Sequence, residues 1–395
     1  MLIGVVGKTN TGKSTFFKAA TLAEVEIANR PFVTIKPHHG CGFVKVECPE
    51  KDFGVKCNPK TGFCLEGMRF VPIDLLDVAG LVPGAHKGVG LGNKFLDDLR
   101  QADVLIHVID VSGSTNEKGE PVKPFSYDPL NDVVFLENEI DLWFYGLLKK
   151  DWHRIVKEIE LQNVEAKVAL AEKFSGLKIS EEMIDAALKV IDKRLSRFDE
   201  EDLLHFAKIL RKKSKPMIIA ANKADVDGTE ENIKRLKERF KEYIIVPCSA
   251  ESELALREAA KHGFIKYIPG ENDFTIVSED KLSYEQKQAL EFIKENVLRR
   301  FGTTGVQEVI DTAVYSLLKH IAVFPVATRQ LSDKEGNILP DCFIVPKGTT
   351  AGEFAFKIHT DIGKNFIKAY NLRTKKFVGK DYQLNHRDVI QIITK

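Results

Sequence analysis

Residues Gly7-Lys8-Thr9-Asn10-Thr11-Gly12-Lys13-Ser14 read G-x-x-x-x-G-K-S, directly after the apolar run Leu2, Ile3, Val5, Val6 and before a helix-like segment. A strand, a glycine loop and a helix in that order make a phosphate cradle. The glycines let backbone N–H groups from Gly7 through Thr11 to Thr15 converge on phosphate oxygens at a helix N-terminus. Lys13 can reach the β and γ phosphates, and the Ser14 hydroxyl can hold Mg²⁺. Few folds tolerate such a loop; a parallel α/β sheet is the one that supplies its flanks.

The remaining strand signals agree. Short apolar runs at Val71 to Leu76, Val104 to Ile109, Met217 to Ala221 and Ile244 to Val246 each end in a polar or glycine-bearing loop. Runs of this kind fit strands buried on both faces, with helical periodicity between them, so a doubly wound, mostly parallel sheet is expected. A chain of 395 residues exceeds one compact core. The expected domains are a nucleotide-binding unit at 1–126 and 214–275, a helical insertion at 127–213, a helical connector at 276–319 and a β-rich unit at 320–395.

The insertion has no good strand, and its apolar residues recur at helical intervals, as in Leu142, Phe144, Leu147 and Leu148. Its 15 Lys or Arg against 18 Asp or Glu suit the solvated faces of an antiparallel, coiled-coil-like arm. That arm serves either structure or a partner. From His320 onward, glycine-broken β runs carry 12 Lys or Arg and 7 Asp or Glu, a net of +5 within a chain whose total is only +1. A basic C-terminal module makes RNA contact plausible without requiring it. The chain enters a strand at residue 2 and contains no run of 18 apolar residues, so a cytoplasmic protein with no membrane contact is expected. Four of six cysteines, Cys41, Cys48, Cys57 and Cys64, follow a C-x6-C-x8-C-x6-C spacing. That is wider than the knuckles of most structural zinc sites, so zinc, a disulfide and plain packing thiols all stay open.

Two further motifs name the ligand. Asp77-Val78-Ala79-Gly80 is a D-x-x-G one strand after the cradle; its Asp can bind Mg²⁺ through water and the Gly80 N–H can face a γ phosphate. Thr34, in the loop between them, is placed to close over Mg²⁺ and the γ phosphate as a switch. Asn222-Lys223-Ala224-Asp225 ends the strand Met217 to Ala221. The Asp225 carboxylate can accept from guanine N1–H and its 2-amino group, which adenine lacks, while Asn222 bridges to the phosphate loop and the Lys223 stem crosses the ring. A site of this design can prefer guanine by about 10⁴-fold. After the next strand, Ser249 and Ala250 are expected at the base, with the Ala250 N–H on guanine O6.

In this order the motifs resemble those of the Obg-like GTPases and, within them, the YchF-type proteins. The run from Asp77 through His86 to Asn93 is similar to that branch's long glycine-rich second switch. The stretch with Ala351-Gly352, Ile358-His359-Thr360-Asp361 and Gly379-Lys380-Asp381-Tyr382 resembles a TGS domain, a ubiquitin-like β-grasp. The resemblance implies GTP or GDP as ligand with Mg²⁺, and the ribosome or its RNA as partner of a monomer. Many YchF-type members have a degenerate base motif and favour ATP; the intact Asn222-Lys223-Ala224-Asp225 here favours GTP, with ATP the alternative.

Position 81 bears on catalysis. Many small GTPases carry a water-orienting glutamine after D-x-x-G; here Leu81 stands in its place. With Lys13 and Gly80 left to position the phosphates, unaided hydrolysis is expected on the order of 10⁻⁴ to 10⁻² s⁻¹. Asn10 resembles the phosphate-loop asparagine through which some related GTPases hold K⁺, and His86 would approach the attacking water if the switch folds over. A slow switch reporting to a large partner and a nucleotide-gated scaffold that binds proteins through its TGS domain are the two functional readings.

Overall fold

A computed structural model describes residues 1–22, 38–78, 80, 84 and 92–395. Strands β1 (Leu2–Val6), β2 (His39–Glu47), β3 (Phe63–Leu65), β4 (Met68–Asp77), β5 (Val104–Asp110), β6 (Met217–Asn222) and β7 (Ile244–Pro247) form one sheet. The order is β2-β4-β1-β5-β6-β7, with β3 on β4. Neighbours from β4 to β7 are parallel, whereas β2 and β3 lie antiparallel on β4. Every residue of β5 and β6 is buried. These Val- and Ile-rich runs lack polar alternation because helices cover both faces.

One face carries the helix Lys13–Thr21, the helix Ala250–Lys261 and the helix Val306–Thr312, which bury Phe16, Ala20, Ala250, Val309 and Ile310 against Val5, Ile106 and Ile218. The helix Val306–Thr312, from the segment expected as a helical connector, is therefore part of the sheet's cover. The other face carries the helices Gly92–Gln101, Leu130–Gln162 and Glu200–Ser214. In the longest of these, Leu136, Ile140, Phe144, Leu148 and Trp152 recur every fourth residue, making a stripe that meets Leu203, Phe206 and Leu210. Trp152 stacks on Phe198 with ring centroids 5.5 Å apart. Asp199 starts the returning helix with a capping box, its side chain accepting from the Asp202 N–H and the Asp202 side chain from the Asp199 N–H. Arg211 then ties the two helices together, bonding Asp141 at 2.7 Å and Glu137 at 3.1 Å in a nearly dry setting.

A hairpin, β8 (Ile265–Tyr267) with β9 (Phe274–Ile276), leads into the helix Tyr284–Ile293. The C-terminal unit is a second sheet of β10 (His320–Val326), β11 (Phe343–Pro346), β12 (Phe366–Asn371), β13 (Lys376–Val378) and β14 (Asp388–Thr394). Its order is β11-β10-β14-β12-β13, with β10 and β14 parallel and the other pairs antiparallel. The helix Ala351–Ile358 lies across it, burying Phe354 against Val323, Val345 and Ile390. This is the β-grasp plan expected of a TGS domain. Among the described residues no helix is long and apolar enough to cross a membrane.

Candidate functional site

The parallel strands all point their C-terminal ends to one edge, which is where an open α/β sheet collects ligand-binding loops. Register puts Val5 beside Asp77 and Asp110 beside Asn222. A cavity of about 590 Å³ opens there, lined at one end by the phosphate loop with Lys13, Ser14, Thr15 and Gly80, and at the other by Asn222, Asp225 and Glu251.

Two glycines in the loop carry its shape. Gly7 (φ +155°) and Gly12 (φ +89°) both sit where a side chain is strained, and a Cβ on Gly12 would lie 2.1 Å from Asn222 Nδ2. The close approach is functional: Asn222 donates from Nδ2 to the Thr11 carbonyl at 2.9 Å. Asn222 thus ties the N-K-x-D segment to the phosphate loop. Thr11 is buried and donates to the Lys8 carbonyl, which locks the turn. Gly12 then opens the helix Lys13–Thr21, whose free N–H groups face the cavity.

Lys13 pairs with Asp77 at 2.5 Å. The cation expected at phosphate and the carboxylate expected at Mg²⁺ thus neutralise one another. A Mg²⁺–nucleotide complex offers a replacement partner to each at once, so neither charge need be left bare during the exchange. The donor set suits Mg²⁺, a hard cation that takes one or two protein oxygens plus phosphate and water: the exposed Ser14 hydroxyl and the half-buried Asp77 carboxylate supply those oxygens. Thr34, Leu81 and His86 lie outside the described residues.

At the base end, two of the expected residues are engaged by their own surroundings. The Ala250 N–H, expected on guanine O6, donates to Asn222 Oδ1 at 2.9 Å. Ser249, expected at the base, is buried and caps the helix Ala250–Lys261, accepting from the Ser252 N–H. The physical reason is the helix start itself, which leaves unpaired N–H groups that a serine at the N-cap satisfies. Asn222 is consequently gripped from both sides, by the phosphate loop and by the Ala250 amide. Lys223 adopts φ 63°, and its ammonium reaches the buried Asp110 at 2.8 Å, which anchors the stem at the cavity wall.

Several members were not legible in the sequence. Lys8, an unspecified position of the motif, is buried and pairs with Asp132 at 2.6 Å beneath the Tyr127 ring. Lys8 also donates to the Asn116 carbonyl, and Asn10 donates from Nδ2 to the Gly119 carbonyl at 2.8 Å. Asp110 accepts from Ser112, Ser114 and Thr115 as well as from Lys223. The 112–122 loop is therefore a polar clamp holding the phosphate loop and the base motif, and Lys8, bonded to its Asn116 carbonyl, also pairs with Asp132 at the root of the long helix. Partners more than a hundred residues apart leave no local pattern; the one available signal was polar clustering at Ser112, Ser114 and Thr115 after a strand. Burial pushes the Asp132 carboxyl up to about 6, with Lys8 opposing. Glu251, in the first turn of its helix, adds a carboxylate at the base-end rim.

His107 sits under this clamp, fully enclosed, with Nδ1 lacking a hydrogen-bond partner. Burial, reinforced by Lys8, brings its pKa from 6.5 down to about 3. The folded state therefore keeps it neutral while the unfolded chain protonates below 6.5, so this contribution to stability is complete above pH 6.5 and is lost as pH falls toward 3. His107→Leu is expected to gain about 2 kcal/mol relative to the parent at pH 5 compared with pH 8. Urea unfolding at both pH values checks it; parallel acid limbs would refute the assignment.

A phosphate cradle, a D-x-x-G aspartate and an N-K-x-D motif at neighbouring ends of one parallel sheet define the nucleotide site of a P-loop GTPase. Family profiles agree: "50S ribosome-binding GTPase" matches residues 2–138, "Obg-like GTPase YGR210-like, G4 motif-containing domain" matches 220–328, and "TGS domain" matches 334–394. A GTP-binding protein of Methanocaldococcus jannaschii is 50% identical over 394 residues, covering 100% of this chain and 99% of the relative. The crystal structure of a GTP binding protein from Pyrococcus horikoshii OT3 superposes with a TM-score of 0.79 at 42% identity, covering 100% of both chains. The ribosome-binding ATPase YchF of Escherichia coli O157:H7 is 27% identical over 423 residues, 99% of this chain and 98% of the relative. The chain belongs to the Obg-like GTPases, in their YchF-type branch, and membership implies nucleotide hydrolysis in general.

Proposed function

We propose that this chain is a guanine-nucleotide switch that binds GTP and GDP with Mg²⁺, hydrolyses GTP slowly, and reports its nucleotide state to the ribosome or its RNA. The carrying observation is the cavity whose two ends hold Lys13 and Asp225, joined by Asn222. Phosphate and base are thereby bound by one connected frame. Lys13 and the N–H groups of the Gly12–Lys13 turn hold the phosphates in line, and Asp225 and the Lys223 stem orient the base. Mg²⁺, held by Ser14 and Asp77, would neutralise phosphate charge when bound. Leu81 offers no polar atom to orient water, so turnover without an activator is slow. K⁺ held through the Asn10 amide oxygen, or a partner, supplies the missing charge.

The ribosome or its RNA is favoured as partner by the C-terminal sheet. On its outer hairpin, Lys368 lies 4.2 Å from the Phe377 ring centre and Arg329 4.6 Å from that of Tyr370. Phe377 and Ile367 are more than half exposed there. Exposed rings interleaved with cations suit unstacked bases and phosphates. The helical arm is the second contact, and the protein acts as a cytoplasmic monomer. The ATP alternative rests on the bacterial relative, named an ATPase.

Calorimetric titration with GDP, a non-hydrolysable GTP analogue and an ATP analogue tests the base reading; the expected result is guanine preference of at least about 10²-fold. Equal affinities would overturn it. Turnover is then measured with and without ribosomes, and in K⁺ against Na⁺. Equal rates throughout, with no GTP-dependent co-sedimentation, would favour the scaffold reading instead.

A further inference from the structure

We propose that Cys48, Cys57, Cys64 and Glu50 form a structural Zn²⁺ site that staples the loop on which the C-terminal domain docks. One ligand atom from each of these four residues lies within 4.8 Å of all the others. Tetrahedral zinc, with Zn–S near 2.3 Å and Zn–O near 2.1 Å, places its ligand atoms roughly 3.5–3.8 Å apart, so a contraction of about 1 Å closes the set. Three sulfurs exclude Mg²⁺ and Ca²⁺, which take oxygen, and the carboxylate suits Zn²⁺ better than Cu⁺. The set is already drawn together: Glu50 accepts from the Cys57 N–H at 2.9 Å and from the Cys64 thiol at 3.7 Å. Cys41, fourth in the sequence spacing, stands apart, its thiol turned to the Gly42 carbonyl, and Glu50 takes its place.

Arg69 is the independent observation. Its guanidinium is completely buried, yet among the described residues no carboxylate pairs with it. Nη2 donates to the Leu339 carbonyl and reaches Cys48 Sγ at 3.9 Å, while Nε and Nη1 have no hydrogen-bond partner. An arginine cannot shed its charge, and burying one without an anion is costly. Three thiolates and a carboxylate around Zn²⁺ carry a net charge of −2, which supplies the missing counter-charge; three neutral thiols do not. Zinc binding releases the thiol protons to solvent, so affinity falls in acid. Cys57, Cys64 and Glu50 border an open groove of about 940 Å³, which gives the ion a way in.

The site's position gives its purpose. Between Gly54 and Gly62 the chain has no helix or strand, yet it carries the junction with the C-terminal domain. Asn58 N–H donates to the Ile338 carbonyl, Lys60 N–H to the Pro340 carbonyl and the Thr61 hydroxyl to Asp341. An irregular loop holds such contacts in register only if it is itself held.

The test is elemental analysis of the full chain expressed with zinc and then dialysed. About one zinc per chain is expected, and a cobalt-loaded sample should show sulfur-to-cobalt charge transfer with tetrahedral d–d bands. Cys57→Ser should weaken zinc binding beyond the ~10–100-fold that loss of a neighbouring supporting group costs, whereas Cys41→Ser should not. Should Cys57→Ser fail to fold, Glu50→Gln, read by the rate of zinc release to a colorimetric chelator, keeps the test open: release should quicken at least ~10-fold. Absence of zinc with six titratable thiols, or a mapped disulfide within the trio, would overturn the proposal.

Discussion

Gly12→Ala is expected to abolish useful nucleotide binding and to unsettle the empty protein as well. The backbone at Gly12 holds φ +89°, and an added Cβ would lie 2.1 Å from Asn222 Nδ2. Left-handed backbone at an alanine costs roughly 1–2 kcal/mol. The clash adds more, because Asn222 cannot retreat without dropping the Thr11 carbonyl or the Ala250 N–H, both bonded at 2.9 Å in a buried setting. An orphaned buried group there costs about 1–3 kcal/mol. The same movement spoils the turn that aims N–H groups and Lys13 at phosphate; losing two charge-assisted bonds of about 2 kcal/mol each lowers affinity about 10³-fold. Calorimetry with GDP and urea unfolding of the apo protein read the two effects. Gly302→Ala is the control: φ is +82° there, but nothing lies within 4 Å of the added carbon. It should show strain in unfolding and no change in GDP affinity. Near-normal GDP binding by Gly12→Ala would mean that the Gly12–Asn222 contact does not organise the site.

That contact also marks where reading a sequence succeeds and where it stops. The cradle, the D-x-x-G and the N-K-x-D were legible because each is a short run whose spacing is its chemistry, and the buried strands β1, β5 and β6 were legible because continuous Val and Ile need no partner to be recognised. β2 was not: His39–Glu47 mixes glycines and charges with its apolar residues, and it is a strand because it pairs along all nine positions with β4. Ser249 and Ala250 were expected at the base from their place after a strand; that Ser249 caps a helix and that the Ala250 N–H meets Asn222 could not be read there. Lys8 and Asp110 lay in plain view as ordinary polar residues; their partners, Asp132 and Lys223, are more than a hundred positions away. The cysteines announced themselves by spacing, but a spacing cannot say that Glu50, and not Cys41, faces the other three sulfurs. Most of what stayed hidden is polar and long-range, where pattern is set by the tertiary fold and leaves no period in the chain.

Asp225→Asn is expected to transfer the site from guanine to xanthine nucleotides, and it is the sharpest way to ask what the base end reads. Asp225 lines the cavity opposite the phosphate loop and is only half buried, so the substitution should leave the fold intact. A carboxylate accepts from the guanine N1–H and the 2-amino group; an amide keeps one acceptor and turns a donor toward the other, facing N–H with N–H. GTP affinity should fall by about 10³-fold or more, since a polar site rejects a mismatched partner far more strongly than an apolar one does. Xanthosine triphosphate carries an oxygen where guanine has its amino group and should gain by a comparable factor. ATP is the discriminating arm. If adenine binds through the ring face and the phosphates alone, its affinity should be unmoved by the change. Three titrations on parent and variant therefore separate the possibilities: a GTP loss with XTP gain places the selection at Asp225, whereas unchanged GTP and ATP affinities would mean that the cavity holds phosphate firmly and leaves the base unread. In that second case the intact N-K-x-D would serve the frame alone, through Asn222 to the phosphate loop and through Lys223 to Asp110.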